Sequence, residues 1–342
     1  MIANFKRLKS WLVLIFCCFC GGTVGPSDLY AQKKPNPLVV SYSALVASQS
    51  YLWIAKEAGY FERNGLDVKM VFISSGAHNV AALLAGDVDI GIIGGMGVMR
   101  AKLGGADLYL IGGTKNQYAG SIVAQPQIKT PAELKGKRIA ITRRGSNPEF
   151  MAKAALLRFG LNPDRDITFI QAGGAPETVA VLHSGGAEAA SIIPPHNLKA
   201  ISLGYKELID VTAMKIPFVA TIITTSKKLI DTKTSVMAPF MRALADGVHR
   251  YQTDKEYALK VISRYARSPI NDDLELTYNV EGAIMDRGLN VRSEAIEATL
   301  EEIRKDTPKA ALAKAGDFVD PRFMNELKQS GYLERIWSKT QQ

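Results

Sequence analysis

Two stretches of this 342-residue chain repeat each other, and the repeat limits the possible folds more than any other feature. Residues 71–95 read VFISSGAHNVAALLAGDVDIGIIGG. An apolar run stops at a Ser-Gly turn. An amphipathic helical stretch follows through Val80, Leu83 and Leu84, and a second Gly turn leads into a second buried strand. Residues 169–195, FIQAGGAPETVAVLHSGGAEAASIIPP, repeat the pattern about one hundred residues later. Ser75-Gly76 corresponds to Gly174-Ala175, Leu83 to Leu182, Gly86 to Gly185, and Asp89 to Glu188. The lead-in repeats too, with Gly65-Leu66 against Gly160-Leu161. Two similar βαβ units predict two similar lobes, with a ligand held between them.

The rest of the chain fits around these units. Short strands are expected at 38–42, 66–73, 106–114, 121–124, 139–142, 166–171, 207–211 and 218–225. A helix is expected over 51–61, a helix start at Thr130-Pro131, and further helices over 95–103, 148–159 and 196–204. From Ser226 the pattern turns helical, with stretches at 235–251, 254–266, 272–285, 293–305 and 321–329. Alternating β and α followed by a helical tail predicts a parallel-rich α/β protein. The chain is expected to cross between lobes at 118–126 and 217–225. That division gives one lobe from 32–120 and 222–342, with the tail packed on it, and a second from 121–221. The length suits two domains.

The first 31 residues read as a secretory signal: basic Lys6, Arg7 and Lys9, an apolar core over 11–20, and a cleavage point after Ala31. Cys20 at the end of that core raises a lipoprotein signal as the rival, but Phe19 stands where lipoprotein processing wants a small residue. All three cysteines, Cys17, Cys18 and Cys20, lie in this segment, which excludes disulfides and thiolate chemistry from the rest of the chain. Net charge is +9, and removal of three bases and one acid with the leader leaves +7. The bases are scattered without long runs or interleaved aromatics, which speaks against nucleic acid. The chain is expected to be periplasmic and monomeric.

In open α/β sheets a ligand sits at the carboxyl ends of the strands, where loops open into helix N-termini. Four such loops here are small and polar: 43–50, 74–76, 145–147 and 173–175. Free backbone N–H groups and helix dipoles there would hold a small anion, with Arg143 or Arg144 adding a bidentate contact. No GxSxG, HExxH or phosphate-loop motif occurs, and the four histidines fall in no triad context. No catalytic residue, metal or cofactor is therefore expected. His196 opens a helix facing the expected cleft and is a candidate contact.

The run AKEAGYFERNGLDVKMVFISSGAHNVAALLAGDVDIGIIGG, with PAELKGKRIAI and LRFGLNPD further on, resembles periplasmic substrate-binding proteins of the nitrate/sulfonate/taurine ABC importers. That group shares its family with thiamine-pyrimidine synthase-like proteins. The resemblance implies a type II periplasmic binding protein: two Rossmann-like lobes, two hinge crossings and a solute in the cleft. It implies delivery of a small, anionic, sulfonate- or carboxylate-like solute to a membrane permease and its ATPase. By matching motif positions, the cleft falls on Ser43, Ser48, Gln49, Ser74, Ser75, Gly76, Gly95 and Met96. From the second lobe come Arg144, Gly145, Ser146, Gly174, Pro194 and His196. The Pro194-Pro195-His196 segment departs from the transport members, which often place polar or acidic contacts there. A thiamine-pyrimidine-related binding protein or synthase of the same fold is the alternative, and so is a solute sensor without a transporter.

Overall fold

Ten strands form two five-stranded mixed sheets in the computed structural model, which describes residues 36–74 and 76–338. The strands are β1 Asn36–Tyr42, β2 Leu66–Phe72, β3 Ile90–Ile93, β4 Leu108–Gln117, β5 Ser121–Ala124, β6 Arg138–Ile141, β7 Thr168–Gln171, β8 Ala189–Ile192, β9 Lys206–Asp210 and β10 Pro217–Ser226. The first sheet has the order β2-β1-β3-β10-β4, and the second β7-β6-β8-β5-β9. In each, three strands run parallel and a fourth, β10 or β5, is antiparallel to both its neighbours. The leader, its cysteines and its cleavage point lie outside the described residues.

The repeat seen in the sequence is a repeat of bonds. Asp89 donates its amide to the Val39 carbonyl (2.9 Å), and its carboxylate accepts the Val39 amide (2.8 Å). Glu188 does the same to Arg138 in the second sheet (3.1 and 2.9 Å). Leu83 and Leu182 are both buried. Gly86 and Gly185 end their helices with φ of +82° and +73°, a region that favours glycine.

The Arg138 guanidinium hydrogen-bonds Glu188 (2.6 Å) and, against some desolvation, holds its carboxyl down at about 2. A depressed carboxyl contributes stability above its unfolded value of 4.5, and the contribution is lost as pH falls from there toward about 2. Glu188→Gln is expected to lower the stability of the chain by about 1 kcal/mol at neutral pH, the solvent-facing pair being screened. In urea titrations the gap to wild type should close between pH 4.5 and 2; a gap constant across that range would refute the assignment.

Several boundaries differ from expectation for local reasons. The helix expected over 51–61 is two, Ser50–Glu57 and Tyr60–Arg63, because Gly59 takes φ +68° between them. The start at Thr130 yields only a 3-10 turn, Pro131–Leu134: the Thr130 hydroxyl bonds the Glu133 side chain (2.9 Å) instead of capping the backbone. Asn162 caps a short helix, Pro163–Asp166, so β7 starts at Thr168. Helices Lys227–Thr232 and Tyr332–Ser338 lie outside the expected set. Residues 118–120 join β4 to β5, a shorter passage between the sheets than the expected 118–126. The return is 211–216, between β9 and β10, and not the expected 217–225: those residues form β10, so 217–221, expected in the second lobe, belong to the first sheet.

The tail covers the first sheet. Phe240, in helix Thr234–Thr253, stacks on Phe61 at 5.4 Å. Residues 318–320 run along β4, where Leu110 donates to Phe318 (2.9 Å) and accepts from Asp320 (3.0 Å), so that edge is not left open.

Candidate functional site

The carboxyl ends of the parallel strands carry the four loops named from the sequence and the two further segments, at 95–96 and 194–196, implied by the resemblance. Those after β1, β2 and β3 belong to the first sheet, and those after β6, β7 and β8 to the second. Ser43 is half-buried, whereas Ser48 and Gln49 are buried in the short turn Ala47–Gln49. Gln49 is committed to its own loop. Its Oε1 accepts from the amides of Ser43 (3.0 Å) and Ala44 (3.3 Å), and its Nε2 donates to Ser43 Oγ (2.9 Å). Ser74 is exposed, Gly76 begins helix Gly76–Ala85, and Ser75 lies outside the described residues. Gly95 and Met96 are buried at the start of helix Gly95–Leu103, and a β-carbon on Gly95 would meet Val219 Cγ2 at 2.5 Å. Gly95 therefore packs closely against β10.

In the second sheet the loop after β6 already has an acceptor for its amide. Gly145 has φ +73°, and its amide donates to the Glu149 carboxylate at 2.6 Å. Glu149 is buried and also meets Arg144 Nη1 (3.3 Å) and Lys153 Nζ (3.4 Å). The Arg144 guanidinium, expected to grip a ligand, is thus paired within its own lobe and lies 5.9 Å over the Phe169 ring. Ser146 Oγ accepts from Thr142 Oγ1 (2.9 Å). Gly174 precedes helix Ala175–His183, and the Glu177 carboxylate folds back against it, so that a β-carbon on Gly174 would require that side chain to move. Pro194 is buried, and His196 is half-buried at the start of helix His196–Ser202. Burial pushes the His196 imidazole below its ordinary value, with the charge of Glu177 opposing.

The loops do not stand apart. The side chain of Asn147 reaches from the second sheet to the Ala220 carbonyl of β10, at 3.1 Å. Helix Asp272–Ile284 touches both the Ala47–Gln49 turn and helix His196–Ser202. Asn147 lies in the expected loop 145–147 without having been singled out, and Glu149 and Glu177 were absent from the sequence-derived set. The two acids were within reach of it, because Ser146-x-x-Glu149 and Gly174-x-x-Glu177 have the spacing by which a glutamate reaches back to a helix start. Among the described residues no group of three or more His, Cys, Asp or Glu is placed to hold a metal ion. No helix among them is long and apolar enough to cross a membrane. A shallow depression of about 480 Å³ lies over helix Arg322–Gln329, and none of its lining residues belongs to these loops.

Comparison with known proteins places the chain. The family described as NMT1/THI5 like matches residues 48–258, more than half of the sequence. The chain belongs to the NMT1/THI5-like family. Among curated relatives of this family member, a candidate binding protein of Brucella abortus (strain 2308) is 31% identical over 46% of this chain and 48% of its own length. The chain thus spans about half the length of the first curated relatives it matches. A Bacillus subtilis protein named for binding aliphatic sulfonates is 33% identical over 60% of this chain and 62% of its own. The alkanesulfonate-binding protein SsuA from Xanthomonas axonopodis, solved with MOPS, superposes with a TM-score of 0.66 at 20% identity, covering 82% of this chain and 96% of that one. The desulfurization enzyme DSZB superposes with a TM-score of 0.65 at 14% identity, covering 85% and 99%. The periplasmic binding protein fold expected from the sequence is therefore the fold of this NMT1/THI5-like chain. The relatives named for a function are mainly binding proteins, and one neighbour on the same fold is an enzyme.

Proposed function

We propose that the protein is the extracytoplasmic solute-binding subunit of an ABC importer, without catalytic activity of its own. It works as a monomer in the periplasm. It closes two lobes, one built on the first sheet and one on the second, over a small organic solute and hands it to a permease whose ATPase is a separate chain. The lobes swing about residues 118–120 and 211–216, and contacts to both favour the closed form. The observation that carries this reading is the paired frame of sheets, each with three parallel strands whose carboxyl ends open into polar loops. Sulfonate-binding relatives support a sulfonate- or carboxylate-bearing solute.

One observation favours a second solute class on the same site. Glu149 already takes the Gly145 amide in the second sheet and Glu177 lies against Gly174, so an incoming anion would meet a carboxylate at each of these loops. An aminopyrimidine, as in the thiamine-pyrimidine branch, would instead donate its N–H groups to these carboxylates. Calorimetric titration of the full chain with MOPS and with 4-aminopyrimidine, followed by X-ray scattering at saturation, separates the two. The sulfonate reading expects saturable heat with MOPS and a smaller radius of gyration. Heat with the aminopyrimidine alone would favour the second class, and an unchanged radius at saturation with either would overturn capture between lobes.

A further inference from the structure

We infer that Asn147 is the residue that fixes the closed position of the cleft, acting as a clasp between the sheets without needing to touch the solute. The inference rests on the two-lobed reading above. Asn147 is the first residue of helix Asn147–Arg158, at the end of β6 in the second sheet. Its Nδ2 donates to the carbonyl of Ala220 in β10 of the first sheet, at 3.1 Å, and Ala220 is buried.

The other face of the same amide meets Gly94. A β-carbon on Gly94 would stand 2.9 Å from Asn147 Oδ1 and 3.2 Å from Nδ2. Gly94 has φ −71° and ψ 135°, an extended conformation that any residue adopts. Its backbone therefore gives no reason for glycine, and the neighbouring amide does. The Asn147 amide fills the slot between the end of β3 and β10, and both walls of that slot belong to the sheet opposite its own. Such contacts exist only while the sheets are close, so they favour the closed form by their full strength.

The nearby aromatic contacts differ in kind. Tyr118 stacks on Phe218 at 4.1 Å, and Phe150 lies 6.4 Å from the same ring. Tyr118 is in a crossing and Phe218 follows one by two residues, so those rings move little when the lobes swing. Asn147 lies one helical turn before Phe150, and its partner Ala220 lies two residues further from the crossing than Phe218.

The test is a cycle of Gly94→Ala, Asn147→Ala and the double variant in the full chain, read by X-ray scattering without added solute. Circular dichroism confirms that each remains folded. Gly94→Ala introduces a methyl into the slot and is expected to shift the ratio of closed to open forms tenfold or more toward open, with a larger radius of gyration. Asn147→Ala removes the clasp without a clash and is expected to expand the chain as well. In that background Gly94→Ala should add nothing, because the atoms it would strike are gone. An unchanged radius in Asn147→Ala, or an equal expansion by Gly94→Ala with and without Asn147, would overturn the inference. Since no solute is used, a failure to bind MOPS or aminopyrimidine would count against the proposed function and leave this result standing.

Discussion

Glu281→Leu is expected to destabilise the protein by about 3–5 kcal/mol, because it strands a cation in the interior. Lys115 Nζ sits 3.0 Å from both carboxylate oxygens of Glu281, and the two side chains are only 7% and 3% exposed. Lys115 comes from β4 and Glu281 from helix Asp272–Ile284, so the pair ties the sheet to the tail. Glu281 lies beside Tyr251, whose hydroxyl is pushed well above its ordinary value by burial and further by the Glu281 charge. Lys115→Met alone leaves the opposite charge stranded and should cost a similar amount. The double variant, Lys115→Met with Glu281→Leu, should recover most of the loss, since a matched apolar pair needs no compensation. Urea unfolding of the three variants measures this directly. A single variant within about 0.5 kcal/mol of wild type would mean that water reaches the pair.

Gly120→Ala is expected to cost about 3 kcal/mol or more. Gly120 takes φ +145°, and an added β-carbon would run into the Ile192 carbonyl and lie 3.0 Å from Met151 Sδ and Cε. The residue also joins the two crossings. Its amide donates to Thr212 Oγ1 (2.9 Å), and its carbonyl accepts the amides of Val211 (3.0 Å) and Thr212 (3.2 Å). Gly136→Ala is the natural control. Gly136 has φ +76° with nothing near its β-carbon position, and its replacement should cost only about 1 kcal/mol. Thermal unfolding of both, side by side, tests the claim; equal losses would show that the crowding at Gly120 relaxes away.

Much of the fold was legible because its devices are local. The correspondences Leu83/Leu182, Gly86/Gly185 and Asp89/Glu188 are spaced alike in the sequence and do the same jobs in both sheets. Helix Gly95–Leu103 and strand β5 fall on the expected residues. The helix stop near Gly59 was legible from the glycine, but the further helical turn from Tyr60 to Arg63 was not, since a glycine takes either sign of φ without a mark in the pattern.

The site was legible as a set of loops but not as a set of partners. Glycine and serine mark where backbone amides are presented. Which acceptor takes them depends on side chains reaching back, as Gln49 does to Ser43 and Glu149 to Gly145. Asn147 and Ala220 lie 73 positions apart on different sheets, and no periodicity connects them.

The order of strands has one more effect on how this protein holds together. Each sheet takes its antiparallel member from the other half of the sequence: β5 follows β4 in the chain yet sits between β8 and β9, and β10 follows β9 yet sits between β3 and β4. The halves have exchanged an inner rung. Severed near residue 127, neither fragment would own the piece that bridges its remaining strands. The two sheets are therefore obliged to fold and melt together.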